Sequence, residues 1–236
     1  MHTPTSLLPV DEFERLNTLR QYDILRSLDE PVFNEFVGLT ARIFNLPISL
    51  IALVDANEVE YKANQGLPGL LSQPRVEALC AIAIEQHKTV LLADLAKEHS
   101  LTPEASRAAQ AKGLQAYAGV PLRMPDQRDI GTLCIIDRRP RTFSAEEQQM
   151  LEFIAGLVAT AIAVRYCCLG SGELGKAHWQ RVQQQLVDEI HELIALVRYL
   201  AVRFGTQVPV SQAVLEPARR RLNDLALLLK EHSACA

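Results

Sequence analysis

The chain has 236 residues, of which 48% are hydrophobic, enough for one medium domain with an appendage or for two small domains. Its formal net charge is −4, whereas a dedicated nucleic-acid-binding protein usually carries a basic face. The five cysteines include no C-x-x-C pair, which argues against a disulfide framework and a structural zinc site. These values predict a globular protein of a reducing compartment that binds neither nucleic acid nor metal.

The N-terminal sequence and the apolar runs predict no membrane segment. Residues 1–16 lack a basic region followed by an apolar stretch, so they do not have the pattern of a signal peptide. The longest apolar run, residues 153–164, is shorter than the roughly 18–20 residues that are needed to cross a bilayer. We therefore expect a cytoplasmic protein without membrane contact.

The first part of the chain predicts two helices followed by strands. The apolar residues of 11–25 lie near helical spacing, and Pro31 opens a second helix, since proline suits the first helical turn. Residues 47–55 are a short β-rich apolar run, which predicts a buried strand, and 59–65 predict its hairpin partner. Glycines and prolines make 66–75 a loop.

The middle of the chain predicts further strands and helices. Ser144 and Glu147 have the spacing of a capping box, which marks the start of a long helix. Helices and strands in such an order indicate an α/β or α+β sheet domain. In chain order we expect a buried helix over 76–86, a strand over 89–94, a helix over 103–112, strands over 116–124 and 129–137, and a helix over 144–166.

Several motifs make the first part of the chain similar to a GAF domain of the bacterial signalling branch. The motifs are "DEFERLNTLRQYDIL", "ISLIALVDANEVEYKANQGL", "LCAIAI", "YAGVPL" and "IGTLCIIDRRPRTFSAEE", and they span residues 11–167. The pair "YAGVPL" and "GTLCIID" is the most specific of them. The resemblance implies an α+β fold with a central antiparallel sheet, flanking helices, and a small-molecule pocket beneath short helices and loops.

The resemblance also implies which residues line that pocket. Segments 77–84, 92–95 and 116–122 should form its wall, together with inward residues of the strands. Where the branch usually reads "S-F-C-A-H-A-I", this chain reads "ALCAIAI", so that the histidine is missing. Either the ligand, which the sequence does not identify, differs from that of the branch, or the pocket is filled. The candidate ligand-binding residues are Leu53, Tyr61, Lys62, Cys80, Ile82, Asp94, Tyr117, Gly119 and Cys134.

The last part of the chain predicts an antiparallel two-helix hairpin. Residues 169–175 contain a glycine cluster, which predicts a linker. Beyond it, apolar residues recur every three or four positions from Trp179 to Phe204, and a second helix follows Pro209. The predicted domains are therefore 1–168 (GAF-type sensory domain), 169–175 (linker) and 176–236 (helical hairpin).

The hairpin sequence is similar to the dimerisation module of histidine kinases whose box reads "E-I-H-H-R-V-K-N". Here "DEIHELIALVRYL" places the phosphoacceptor histidine at His191. The next residues read "ELIAL", so the polar residues that would handle phosphate and ATP are replaced. Because the chain ends at Ala236 without an ATP-binding domain, we expect no autophosphorylation and no enzymatic activity.

Three functions remain open from the sequence. The first is a non-catalytic sensor, in which a small molecule shifts the packing of the helices. The second is a phosphotransfer protein, in which His191 exchanges phosphate with a partner kinase or response regulator. The third is a structural dimer with a filled pocket. Small residues at Ala155, Ala159 and Ala163, and the long apolar stripe of the hairpin, predict a homodimer with a four-helix bundle at its centre.

Overall fold

The computed structural model describes Pro9 and residues 11–28 and 30–233, so the outer ends of both predicted domains lie outside it. A 3₁₀ turn over Arg75–Glu77 precedes α4. The helices are α1 (Glu12–Gln21), α2 (Ile24–Ser27), α3 (Pro31–Ile43), α4 (Cys80–Gln86), α5 (Pro103–Ala111), α6 (Ala145–Gly170), α7 (Gly172–Phe204) and α8 (Gln212–His232). The strands are β1 (Ile48–Val54), β2 (Glu58–Gln65), β3 (Ser72–Pro74), β4 (Val90–Leu92), β5 (Ala116–Arg123) and β6 (Asp129–Asp137).

A six-stranded antiparallel sheet in the order β3-β2-β1-β6-β5-β4 forms the centre of the fold. Strand β1 reads as an unbroken apolar run because both faces of the sheet are covered, and all seven of its residues are buried. The predicted α+β fold with a central antiparallel sheet and flanking helices is confirmed. Strand β3 was not predicted, since it is short and lies in a segment rich in glycine and proline.

The two faces of the sheet belong to two separate hydrophobic cores. On one face, called here the helix face, Leu53 and Leu133 pack in one core with α3, α6, α7 and α8. On the other, called here the cavity face, Leu50 and Cys134 pack with α4, α5 and the loop after β2. Because side chains alternate along a strand, neighbouring residues of the same strand reach different cores.

The glycine cluster predicted to be a linker forms a tight turn between two helices instead. Helix α6 continues to Gly170 and α7 begins at Gly172, whose φ of +71° is readily adopted only by glycine. At Gly175 a β-carbon would lie 1.8 Å from the carbonyl oxygen of Cys168, so the absent side chain lets α7 approach the end of α6. Gly172 is therefore favoured by its backbone conformation and Gly175 by close packing.

The hairpin of α7 and α8 packs on the helix face of its own chain. Its apolar stripe from Trp179 to Leu200 is buried in the same core as α3 and α6, while Phe204 is 40% exposed. The stripe therefore needs no second protomer to cover it, and the four helices that bury it come from one chain. The argument for a dimer through this stripe is lost; homodimerisation itself stays a prediction.

Helix α6 is long and apolar enough to cross a membrane by length and composition alone. However, 61% of its most apolar segment is buried inside the fold. The core helices of soluble proteins can be equally long and apolar. Its residues Ala155, Ala159 and Ala163 are all buried within the chain. The helix is thus explained by packing on the sheet and on the hairpin.

Candidate functional site

A small cavity lies between the cavity face of the sheet and the layer formed by α4, α5 and the loop after β2. Its volume is about 20 Å³, and a single water needs roughly 10–15 Å³ on the same measure. In this structure, the space predicted for a small-molecule ligand is therefore large enough for only about one water. The strand and helix residues on its wall include Leu50, Tyr61, Cys80, Ala109, Tyr117 and Ile136.

The sheet side of this cavity carries a buried polar group of five side chains. Tyr61 comes from β2, Tyr117 from β5, and Thr132 and Cys134 from β6, while Cys80 opens α4 above them. Within the described part of the chain, Tyr117 Oη and Thr132 Oγ1 are buried without a hydrogen-bond partner. Unpaired buried oxygens on a cavity wall favour a bound water or a polar ligand.

Gly119 controls the position of the Tyr117 ring. Both residues face the cavity side of β5, and a β-carbon at Gly119 would lie only 2.1 Å from Tyr117 Oη. The absence of a side chain at Gly119 therefore lets the ring lie flat over the strand. Gly119 shapes the cavity through Tyr117 and does not itself line it.

The titration of these groups follows from their burial. Burial raises the pKa of Tyr61 and of Tyr117, so both phenols stay protonated. The neighbouring Cys134 thiol lowers the pKa of Cys80, whereas the neighbouring Cys80 and burial raise the pKa of Cys134. Of the two sulfurs, Cys80 is the one that ionises first.

The loop after β2 covers the cavity and is held by Asn64. The Asn64 amide donates to the carbonyl oxygens of Leu67 (2.6 Å) and Leu70 (3.0 Å), and its oxygen accepts from the Leu67 amide (3.1 Å). Leu67 and Leu70 pack on the cavity-side core. We call residues 66–71 the lid, since a ligand larger than a water must displace them.

The structure brings some of the sequence candidates together and separates others. Tyr61, Cys80 and Tyr117 line the cavity, Gly119 lies beside Tyr117, and Cys134 packs in the core on the same face of the sheet. Ile82 packs on the cavity-side core at its outer margin, away from the cavity wall. Cavity residues that the sequence reading missed include Gln73 and the lid residues Leu67 and Leu70.

Three candidates lie elsewhere and are corrected here. Leu53 faces the helices, because its position in β1 alternates with that of Leu50. Lys62 sits at a bulge in β2 and bonds to the carbonyl oxygen of Leu25 and to Glu60. Asp94 lies in a surface turn with an ion pair to Lys97 at 2.8 Å, which lowers its pKa by hydrogen bonding.

His191 lies on the surface of α7 and faces α3. Its side chain is 57% exposed, and its Nε2 atom lies 3.1 Å from Oε2 of Glu35. The nearby carboxylates Glu189 and Glu192 both form ion pairs with Arg221 of α8. The histidine is therefore an exposed helix residue with one acidic neighbour from a different helix.

A buried carboxylate connects the hairpin to the sheet domain. Glu147, 1% exposed, closes a capping box with Ser144 at the start of α6, as the sequence predicted. Its Oε1 atom also accepts from Arg141 (2.5 Å) and from the backbone amide of Val210 (3.0 Å), in the loop between α7 and α8. Arg141 in turn donates to the carbonyl oxygen of Phe44 at the end of α3.

A family model described as "GAF domain" matches residues 31–163, which is more than half of the chain. The chain belongs to the GAF domain family. The matched region contains the whole sheet and most of α6, and it ends before the hairpin. The similarity of that hairpin to a histidine-kinase module is therefore not confirmed.

This GAF domain is similar to the cyclic di-GMP phosphodiesterase PA2567 of Pseudomonas aeruginosa, with 32% identity over 158 residues. The match takes in 65% of this chain and 26% of that protein. The prediction of a protein without enzymatic activity is contradicted by this relative, which is named as an enzyme. That prediction rested on the lack of a kinase domain and did not consider enzymes of other classes.

Solved GAF domains are similar to this chain at low identity. The GAF domain of an Acinetobacter phosphoenolpyruvate-protein phosphotransferase has a TM-score of 0.48 and 21% identity, covering 64% of this chain and 93% of that one. The GAF domain of PixJ from Thermosynechococcus elongatus, in its blue-light-absorbing form, has a TM-score of 0.49 and 16% identity, covering 71% and 95%.

Proposed function

We propose that this GAF domain is the sensory part of a signalling protein. In this proposal a small polar effector enters the space between the sheet and α4, displaces the lid, and shifts the packing of α6, α7 and α8. The family membership supports the sensory role. The observation that supports a connection from the cavity to the helices is the alternation of side chains along the strands. Alternate residues of the same strand pack toward the cavity and toward the helical layer.

The route from the cavity to the helices is short. In β6, Cys134 packs in the core on the cavity face, while its neighbours Leu133 and Ile135 pack in the core that contains α6 and the hairpin. A movement of β6 that makes room for an effector therefore displaces the contact surface of α6. The carboxylate of Glu147 passes such a displacement to Val210 between α7 and α8. An effector produces this shift only by binding one packing better than the other.

We further infer that the output controlled by this domain is the turnover of cyclic di-GMP. The support is the relative named as a cyclic di-GMP phosphodiesterase, of which this chain matches 26%. Catalysis would then belong to the output that the sensory domain regulates. Deleting the gene in its host should change the cellular cyclic di-GMP level, and an unchanged level under every growth condition tried would contradict this output.

Native mass spectrometry of protein purified from its own host tests the sensory proposal. We expect a small extra mass on each chain of the wild type. The variant Ala109→Leu fills the cavity wall and should lose this mass, whereas Ala111→Leu, on the exposed face of the same helix, should keep it. A bare wild-type chain would favour the alternative of a filled pocket, which a 20 Å³ cavity also supports. The same spectrum reports whether the chain forms the homodimer that we still propose.

Phosphotransfer through His191 is a second candidate, favoured by the exposure of its imidazole and by the Glu35 carboxylate beside it. A carboxylate at hydrogen-bonding distance holds an imidazole in a fixed orientation. Incubation with phosphoramidate, a small phosphate donor, should then label the wild type and the exposed-histidine control His99→Gln, but not His191→Gln. Equal labelling of all three proteins would remove this candidate.

A further inference from the structure

The tip of the hairpin carries a dense group of exposed apolar side chains. Ten large hydrophobic residues are exposed in the described part of the chain, and four of them fall within residues 199–208. They are Tyr199 (56% exposed), Val202 (88%), Phe204 (40%) and Val208 (57%). We call residues 198–208 the tip patch. Apolar side chains that are concentrated at one place on a surface mark an interaction site.

Arg203 joins the aromatic side chains of the tip patch into one surface. Its Nη1 atom donates to Tyr199 Oη at 3.0 Å, and its guanidinium carbon lies 5.3 Å from the centre of the Phe204 ring. Tyr199 and Val202 are three residues apart in α7, so they lie on the same side of the helix. The tip patch therefore presents aliphatic, aromatic and cationic groups side by side.

The end of the molecule that carries the tip patch is strongly basic. Segments 40–47, 138–143 and 193–215 contain six arginines and no aspartate, glutamate or lysine. Arg141 brings the three segments together, because it donates to the Phe44 carbonyl oxygen and to the same Glu147 oxygen as the Val210 amide. The whole chain has a net charge of −4, so the remainder of it, without these +6, has −10. Charge is therefore segregated along the molecule.

Most of this positive charge is not neutralised within the chain. Arg141 forms a buried ion pair with Glu147. The other five arginines are exposed, and none of them forms an ion pair with a described residue; they are Arg42, Arg138, Arg139, Arg198 and Arg203. Arg42 and Arg138 donate to backbone carbonyl oxygens instead. A positive surface of this kind attracts an anionic partner.

We propose that the tip patch binds the surface of an anionic lipid bilayer. The exposed valines and aromatic rings enter the boundary between headgroups and acyl chains, and the arginines pair with lipid phosphate groups. This is binding to the membrane surface and not a membrane-spanning segment, and it replaces the expectation of a protein without membrane contact. It does not depend on the cavity or on its effector.

Other occupants match the tip patch less completely. A second copy of the chain, docked through the same surface about a two-fold axis, would place one basic tip against another. A nucleic acid or an acidic protein would neutralise the arginines. However, it would give no reason for two aliphatic side chains, Val202 and Val208, to project from the tip. Only a partner that is anionic at its surface and apolar beneath it satisfies both groups.

Sedimentation of the full chain with lipid vesicles tests the proposal. The vesicles contain phosphatidylcholine and phosphatidylglycerol in equal parts, and vesicles of phosphatidylcholine alone are the comparison. We expect the chain to sediment with the mixed vesicles, and the bound fraction to fall as salt is added, because salt screens exposed charges. Replacing Arg198 and Arg203 by glutamine should weaken binding by about fivefold per arginine. Arg107→Gln with Arg220→Gln, in α5 and α8, is the control and should bind as the wild type does.

A matched pair of double variants tests the apolar contribution. Val202→Gln with Val208→Gln removes two tip side chains that are 88% and 57% exposed. Leu174→Gln with Leu227→Gln removes two side chains of similar exposure, 87% and 61%, from other parts of α7 and α8. Only the first pair should lose binding to the mixed vesicles. Because all four side chains are exposed, both variants should fold, which circular dichroism checks.

Three results would overturn the proposal. The first is a wild-type chain that stays in solution with the mixed vesicles. The second is an equal loss of binding in the two double variants that remove apolar side chains. The third is a loss of binding in the arginine variant but not in the valine variant. In that case the tip recognises negative charge alone, as on a nucleic acid or an acidic protein.

Discussion

Oε1 of Glu147 accepts a hydrogen bond from the backbone amide of Val210 at 3.0 Å, across a sequence distance of 63 residues. This bond joins the start of α6 to the loop between α7 and α8. Since Arg141 donates to the same oxygen, the carboxylate is also the partner of a buried guanidinium. Glu147 therefore adds a polar link to the apolar core that joins the hairpin to the sheet domain.

Replacement of Glu147 by alanine should loosen the hairpin and destabilise the fold. Removing one partner of a buried ion pair costs about 3–5 kcal/mol, because the remaining charge stays buried. The free energy of unfolding in urea should fall by this amount, and amide exchange at Val210 should rise. Glu146→Ala, one residue earlier and exposed, should change the unfolding free energy by less than about 0.5 kcal/mol. Equal effects of the two variants would contradict the role of Glu147.

Gly119→Ala should displace the Tyr117 ring. The added β-carbon would meet Tyr117 Oη at 2.1 Å, and overpacking of this kind costs about 1–3 kcal/mol. The matched control is Gly156→Ala in α6, where nothing lies within 4 Å of the new β-carbon. There the gain in helix propensity should stabilise the protein by up to about 1 kcal/mol. Urea unfolding of both variants measures the opposite signs, and two changes of the same sign would count against this packing.

Asn64→Ala should open the lid. Its side chain makes three hydrogen bonds to Leu67 and Leu70, and each contributes about 0.5–1.5 kcal/mol net. We expect faster amide exchange over residues 66–71 and faster alkylation of Cys80 in the native protein. Asn223→Ala, on the exposed side of α8, is the control and should leave both rates unchanged. An unchanged alkylation rate in Asn64→Ala would show that Cys80 is reached by another path.

The contact between His178 and His232 should make the far end of the hairpin sensitive to pH. Burial lowers the pKa of His232 below 6.5, and the neighbouring His178 and Arg181 lower it further, against an opposing effect of Glu231. The unfolded chain then binds the proton more readily, so the contribution of His232 to stability is present above pH 6.5 and is lost as the pH falls through its folded pKa. An NMR titration of the His232 ring checks the direction.

His178→Gln is the variant that tests the cause of this shift. The two rings meet edge to face with centroids 4.9 Å apart. Without the second imidazole, the pKa of His232 should rise part of the way back to 6.5, since burial remains. An unchanged or lower pKa in the variant would contradict this account of the contact.

The sequence was sufficient for the elements whose signals are local. The capping box of Ser144 and Glu147 forms as the spacing predicted, because this cap depends on residues three positions apart. The break between α1 and α2 was missed, since Asp23 there takes a φ of +47° that only the tertiary structure imposes. The same is true of β3, which exists only through its pairing with β2.

The site was predicted in part, and the reason lies in the pleat of the strands. Of the candidates, Tyr61, Cys80 and Tyr117 line the cavity, whereas Leu53 faces the helices. In strands buried on both sides, apolar residues occur on both faces, so the sequence does not show which alternate set faces which core. The contact of Glu147 with Val210 and the docking of the hairpin carry no local signal at all.

Amide hydrogen exchange at Val210 tests the link between cavity and hairpin most directly. It should be compared between protein as purified from its host and the same protein unfolded and refolded, which removes any molecule that is held without a covalent bond. We predict that the exchange rates at Val210 and along α7 differ between the two preparations, because a molecule in the cavity changes how the helices pack on the sheet. Identical rates at these positions would contradict a sensory role for the cavity.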